Sequence, residues 1–228
     1  MEAWWRGDAA ARVAVRNTFG EPQYLWMAYF FRCADQFSYL ENKALSFCRG
    51  HVLDVGAGAG SHALYLQNKG LRVTALDVAP KAVEIMRRRG VRQTLSGDYF
   101  QLTSRRRYDT LLFLMNGIGV AGTLTGLESA FHHAATLLAP GGQMLLDSSD
   151  LAYQVEEAAL CYALAPEQTT YYGEITFQLQ HRNLVGHAYP WLFVDFPTLA
   201  HVAEQCGFLA EKLHEAPNHQ YLARCVRA

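Results

Sequence analysis

Between Val52 and Gly60 the chain reads Val-Leu-Asp-Val-Gly-Ala-Gly-Ala-Gly. An apolar run gives way to Gly56, Gly58 and Gly60 around Ala57, and then to a helix-forming stretch. That order describes a strand, a tight turn and a helix start. Glycines let the backbone approach a ligand closely, and the helix N-terminus offers unpaired N–H groups to an anion. Asp77 ends the next apolar run, 21 residues after Gly56. A carboxylate at that place can accept two hydrogen bonds from a ribose diol. Together these residues describe a site for a nucleoside-bearing ligand. Gly58-Ala-Gly60-Ser-His-Ala63 also satisfies the dinucleotide pattern G-x-G-x-x-G/A. Against a dinucleotide stands Asp54, whose charge just before the glycines would repel a pyrophosphate. A ligand carrying positive charge, as an amino acid moiety or a sulfonium does, suits that carboxylate better.

The remaining chemistry-bearing residues are dispersed. His62 lies in the first turn after the glycines. His51 begins its strand at the far edge, and His132 and His133 sit well along a later helix, so these three are read as structural. His214 and His219 bracket the final turn with Glu215 between them, and no metal site is assigned there. Arg32 closes the aromatic run Met27–Phe31. Arg87–Arg89 and Arg105–Arg107 are read as solvated surface, where cations meet helix ends or water.

The elements that must position these groups follow from periodicity. Strands are expected at His51–Val55, Leu71–Leu76, Val91–Leu95, Tyr108–Met115 and Gln143–Asp147. Helices are expected at Ser61–Asn68, from Pro80 to Gly90, and at Thr123–Leu138. This alternation implies a parallel sheet with right-handed crossovers. Asp150–Cys161 reads as a helix, and Thr169–His181 with Tyr189–Phe193 as an inserted hairpin around Asn183 and Gly186, within about residues 165–195. Helix Thr198–Gln205 precedes two last strands, Phe208–His214 and His219–Val226. The four-residue link Glu215–Asn218 is too short for a parallel crossover, so the final strand is antiparallel. Residues 1–49 are aromatic-rich, with Ala9–Arg16 and Gln36–Cys48 read as helices of an N-terminal cap on the domain formed by residues 50–228. The expected fold is α/β: a doubly wound, Rossmann-like, seven-stranded sheet with an antiparallel last strand, a helical cap and an inserted hairpin.

Composition narrows the classes. The 228 residues carry 20 Lys+Arg against 21 Asp+Glu, and half are hydrophobic. That excludes extensive disorder and argues against a protein built to hold nucleic acid. The five cysteines are odd in number and form no C-x-x-C pair, so reduced thiols are expected. The longest apolar run, Tyr24–Phe31, has eight residues where a membrane span needs about 20. No secretory signal core precedes it, and a cytoplasmic protein, monomer or homodimer, is expected.

Here the motifs converge on a family. The glycine segment resembles the corresponding motif of class I S-adenosylmethionine-dependent methyltransferases, and Asp77 in Ala-Leu-Asp-Val matches their ribose-binding acid. Ser96-Gly-Asp98-Tyr-Phe100 resembles the loop after the third strand, and the run ending Asn116-Gly resembles the fourth-strand motif. Leu138-Ala-Pro-Gly-Gly142, Phe196-Pro-Thr-Leu and Glu204-Gln-Cys-Gly-Phe208 are similar to later segments. The resemblance implies S-adenosylmethionine as cofactor and S-adenosylhomocysteine as product. It implies Asp54, Gly56, Ala57, Gly58 and Gly60 around the methionine portion, with His62 a candidate contact. Asp77 and Val78 are implied at ribose and adenine, Asp98 and Tyr99 over adenine, and Asn116 with Gly117 at the methyl end.

The acceptor is less marked. Asn116-Gly-Ile-Gly119 departs from the N/D-P-P-Y of the amino-methylating branch for DNA and some proteins, which counts against those acceptors. A small organic acceptor is expected, with Arg32, Asn116, Tyr172, Glu174 and Trp191 as candidates to bind it. No catalytic residue is assigned, because in-line transfer needs a base only for a protonated, poorly acidic acceptor. An RNA- or protein-directed methyltransferase, a non-catalytic cofactor-binding module and, more distantly, a nicotinamide oxidoreductase are the alternatives.

Overall fold

The computed structural model describes residues 1–17, 22–104, 107–153 and 170–228. Its centre is a seven-stranded sheet in the order β11-β12-β7-β6-β3-β4-β5. These strands are β3 (His51–Val55), β4 (Arg72–Asp77), β5 (Thr94–Ser96), β6 (Tyr108–Phe113), β7 (Leu138–Ser149), β11 (Phe208–Glu215) and β12 (Gln220–Arg227). The pairs β3/β4, β3/β6, β4/β5 and β6/β7 are parallel. The last strand, β12, slots between β7 and β11 and runs antiparallel to both, as the short link requires.

Both faces of this sheet are covered, which is why its strands are apolar throughout. Alternate residues divide between two cores. Leu53, Val55, Leu111, Phe113 and Leu146 join Phe131 and Leu199 of helices α5 (Leu124–Leu137) and α6 (Phe196–Gln205). Val52, Leu112, Leu145 and Leu222 join Leu45, Leu66 and Met86 of α2 (Tyr39–Phe47), α3 (Ser61–Asn68) and α4 (Pro80–Arg89).

A second, five-stranded sheet lies outside the first. Its order is β10-β8-β1-β2, with β9 on β8. The expected hairpin supplies β8 (Glu174–His181), β9 (Leu184–Val185) and β10 (Tyr189–Leu192). The N-terminal region supplies β1 (Arg12–Arg16) and β2 (Gln23–Trp26). This corrects the reading of Ala9–Arg16 as a helix. Arg-Val-Ala-Val-Arg alternates with period two and carries two β-branched residues, and it pairs antiparallel with β2 and β8. The cap is therefore mixed: helix α1 (Glu2–Trp5), two strands, two short 3-10 turns and α2. The expected helix Asp150–Cys161 and the start of the hairpin region fall mostly outside the described residues, as do Arg105 and Arg106. Among the described residues no helix is long and apolar enough to cross a membrane.

Candidate active site

The glycine turn sits where β3 meets α3. Gly56, Gly58 and Gly60 all take positive φ, at 72°, 58° and 82°. A Cβ on Gly60 would stand 2.8 Å from Val91 Cγ2, whereas one on Gly56 would meet nothing within 4 Å. So Gly60 is demanded by packing and Gly56 leaves the turn open on one side. Asp77, at the end of β4, accepts hydrogen bonds from the N–H groups of Gly58 and Ala79, both at 2.8 Å. Its burial raises the carboxyl pKa, against the effect of those two N–H groups. Val78, 71% exposed, stands beside it with its apolar face open. Asp98 caps a short turn by accepting from the N–H of Phe100, and the adjacent Gly97 N–H donates to the Asp77 carbonyl. The Asp98 loop and Asp77 are thereby tied together.

Tyr99 departs from the expectation of a lid over adenine. Its ring is buried against Phe113 and His133, and its hydroxyl donates to the Ala130 carbonyl at 2.9 Å. A 3-10 turn moves successive side chains around its axis, and this one aims Tyr99 at α5.

His62 and Arg32 meet on a residue that motif reading passed over, Glu41. The Arg32 guanidinium donates to both Glu41 oxygens, at 2.9 and 2.7 Å, and His62 Nε2 lies 2.7 Å from Oε1. The Arg32 and Glu41 side chains are 12% and 4% exposed. Burial by itself would raise the Glu41 pKa; the bonds from His62, Arg32 and the Ser38 N–H outweigh it and hold the carboxyl at about 2. Ser38-Tyr-Leu-Glu41 is a capping box at the start of α2, with Ser38 Oγ accepting from the Glu41 N–H. That signal was present in the sequence, although it indicates a helix start and not an ion pair. Arg32 therefore does not reach out toward a ligand carboxylate. It is committed to Glu41 and to the face of Tyr29, 3.6 Å away.

A cavity of about 620 Å³ opens beside this ion pair, between the two sheets. Asn116 and Asp147 lie at its base, at the carboxyl ends of β6 and β7. Met115 and Asn116 are consecutive non-glycine residues at positive φ, 61° and 54°. Such backbone is held only where its surroundings over-determine it. Here the Asn116 N–H donates to Asp147 Oδ1 (3.0 Å), its Nδ2 donates to the Leu192 carbonyl (3.0 Å), and its Oδ1 accepts from Ser148 Oγ (2.9 Å). Gly117 is buried behind it. Burial pushes the Asp147 carboxyl up to about 7, against the Asn116 N–H.

The other acceptor candidates separate cleanly. Trp191 lines the cavity, its indole packed on Gly119. Glu174 does not: its carboxylate accepts from the Leu124 N–H (2.9 Å) at the start of α5. Ile175 and Phe177 line the cavity, and Glu174 points the other way from Ile175 because successive strand residues alternate faces. Tyr172 is also turned away, donating to Asp150 (2.7 Å) and Asp195 (3.2 Å). Of the structural histidines, His51 bonds Thr74 and His133 packs on Tyr99. His214 and His219 are apart, packed on Tyr39 and Tyr153.

S-adenosylmethionine, the donor implied by the resemblance, fits these residues on two observations. The turn leaves Gly56 open. Asp54 Oδ2, behind the turn, is buried and accepts no hydrogen bond among the described residues, and burial pushes that carboxyl up to about 6. A buried acceptor without a donor is costly, and a ligand with cationic character at the turn would relieve it.

Comparison with known proteins supports the same reading. Residues 52–142 match the methyltransferase domain family. A crystal structure of a SAM-dependent methyltransferase from Bacteroides fragilis, in complex with S-adenosyl-L-homocysteine, is 36% identical. It matches over 99% of this chain and 92% of that one, with a TM-score of 0.88. CalS10, an amino pentose methyltransferase from Micromonospora echinaspora, shares the fold at 16% identity and a TM-score of 0.59, over 92% of this chain and 100% of its own. The ubiquinone biosynthesis O-methyltransferase of Methylocella silvestris is 46% identical over 52 residues, which span 23% of this chain and only a fifth (20%) of that protein. The chain belongs to the class I S-adenosylmethionine-dependent methyltransferases, and S-adenosylmethionine is its methyl donor.

Proposed function

We propose that this methyltransferase acts on a small organic molecule held in the cavity between the two sheets. One observation carries the reading: the cavity is about 620 Å³, and at its base Asn116 follows β6, the neighbour of the glycine-turn strand β3, while Asp147 comes from β7, one strand further out. That volume is typical of pockets for small molecules, roughly 300–1,000 Å³. In this reading Asp54, Gly56, Ala57, Gly58 and Gly60 hold the methionine portion of the donor. Asp77 and Val78 hold ribose and adenine, and Asp98 lies at the adenine edge. When bound, the donor supplies an electrophilic methyl group on a sulfonium.

The protein's own residues bind and align. Asn116, fixed by three hydrogen bonds, makes a rigid corner at the cavity base, and Trp191 with Phe177 and Phe193 forms an apolar wall. Alignment of this kind can supply much of an in-line displacement's acceleration. The described arginines of α4 do not favour a nucleic-acid acceptor. Arg88 pairs with Glu84, Arg89 donates to the Ala59 carbonyl, and Arg87 bonds Thr94.

Incubating the protein with methyl-labelled donor and fractionated cell extract tests this. Label is expected in a low-molecular-mass product. Label confined to RNA or protein would overturn the reading.

A further inference from the structure

Within that reading, we propose that the acceptor is a protonated amine, whose ammonium group pairs with Asp147 and gives it a proton. Asp147 and Glu41 are the charged side chains lining the cavity among the described residues, and both are acids. Glu41 already has its counter-charge in Arg32, as well as the hydrogen bond to His62. Asp147 has none: it is 6% exposed, Oδ1 accepts the Asn116 N–H, and no cation lies within ion-pair distance among the described residues. A buried carboxylate without a cationic partner is costly, and the partner the fold does not supply, a ligand can.

The walls agree with a cationic occupant. Tyr29, Phe177, Trp191 and Phe193 line the cavity, and aromatic faces attract ammonium groups. The Tyr29 ring already stacks on a cation, that of Arg32. A carboxylate-bearing acceptor would be repelled by the Asp147 charge, and a hydroxyl would leave that charge unmatched.

The proton has a defined destination. An ammonium nitrogen has no lone pair and cannot accept a methyl group. As Asp147 takes the proton, one N–H bond breaks and its electron pair stays on nitrogen, while an O–H bond forms on the carboxylate. The pair R–NH3⁺ and carboxylate becomes R–NH2 and carboxylic acid, with charge conserved. Burial raises the proton affinity of Asp147, which narrows the gap this transfer must cross.

Two matched sets of probes test the proposal by calorimetry on the full chain with S-adenosylhomocysteine present. They are tyramine, tyrosol and 4-hydroxyphenylacetate, and tryptamine, tryptophol and indole-3-acetate. Each set shares one ring system and differs in carrying an ammonium, a hydroxyl or a carboxylate. The amine of at least one set is expected to bind about tenfold or more tighter than its alcohol, with the acid weakest. Asp147→Asn keeps the Oδ1 acceptor for Asn116, and it should remove that preference without changing S-adenosylhomocysteine affinity. Alcohols or acids binding as well as amines would overturn the amine proposal and leave the small-molecule reading standing. So would a preference that survives Asp147→Asn. S-adenosylhomocysteine binding with no probe binding at all would overturn the amine proposal, while the labelling experiment decides the small-molecule reading. Should the variant fail to fold, the wild-type ranking decides alone.

Discussion

The proposed donor edge and the proposed acceptor cavity are built on different principles. The donor edge is mostly backbone. It spans little more than the stretch from Asp54 to Val78, and its shape comes from three positive-φ glycines and two N–H groups turned onto Asp77. The cavity is mostly side chains. Its lining runs from Val15 to Gln220, and it exists only because β1 and β2 join β8 and β10 in a second sheet above the ends of β6 and β7. A site made from local backbone tolerates changes elsewhere in the chain. A site made from distant side chains can be reshaped residue by residue, and specificity belongs there.

The two regions are joined by Arg32, Glu41 and His62, since His62 follows the glycine turn and Glu41 lines the cavity. Arg32→Ala should therefore have the largest effect and blur the contrast. Leaving the Glu41 carboxylate buried without its guanidinium is expected to cost about 3 kcal/mol of folding stability, readable in urea melts. Both S-adenosylhomocysteine and tyramine affinities should fall with it. If stability is unchanged, the ion pair does not couple the regions.

Asp77→Ala should break the donor edge alone. Loss of the carboxylate is expected to weaken S-adenosylhomocysteine binding about 100-fold by calorimetry, as for removal of paired hydrogen bonds to a charged group. Gly119→Ala should break the cavity alone. The added Cβ would collide with the Trp191 indole, and Trp191 must move into the space an acceptor needs. Tyramine affinity should drop about tenfold while S-adenosylhomocysteine affinity holds.

The smallest effect is a pH dependence. Asp147 is faced by Glu41 and Tyr29 across the cavity, with the Asn116 N–H on one oxygen and His62 beyond Glu41. With its carboxyl at about 7, it gains a proton and loses its charge as pH falls through that value. Tyramine stays protonated throughout, so its affinity should weaken a few-fold from pH 8 to pH 6 and stay level in Asp147→Asn. Glu41 does not contribute in that range, because its carboxyl is held at about 2.

The glycine turn and the strand ends around it were legible because their signals are local. Three glycines follow an apolar run, Asp77 ends its strand, and the four-residue link before β12 dictates an antiparallel strand. Arg12–Arg16 was open to the same reading, since Val13 and Val15 alternate, yet a five-residue segment preceded by Ala9, Ala10 and Ala11 also suits a helix. The partner strands β2 and β8 decided the matter. On β8 the alternation showed that one face would be buried, and sheet placement then sent Ile175 and Phe177 into the cavity and Glu174 to the start of α5. Tyr99 entered the core because its 3-10 turn aims the ring at α5, where the hydroxyl finds the Ala130 carbonyl.

Local backbone chemistry in the chain determined the sheet, the glycine turn and the class of donor, because dihedral preference and strand–helix rhythm act over a few residues at a time. Only the tertiary structure gave Arg32 to Glu41, left Asp147 buried without a cation among the described residues and placed Trp191 over Gly119. Burial and charge pairing are properties of contacts between distant segments, and no spacing along the chain encodes them.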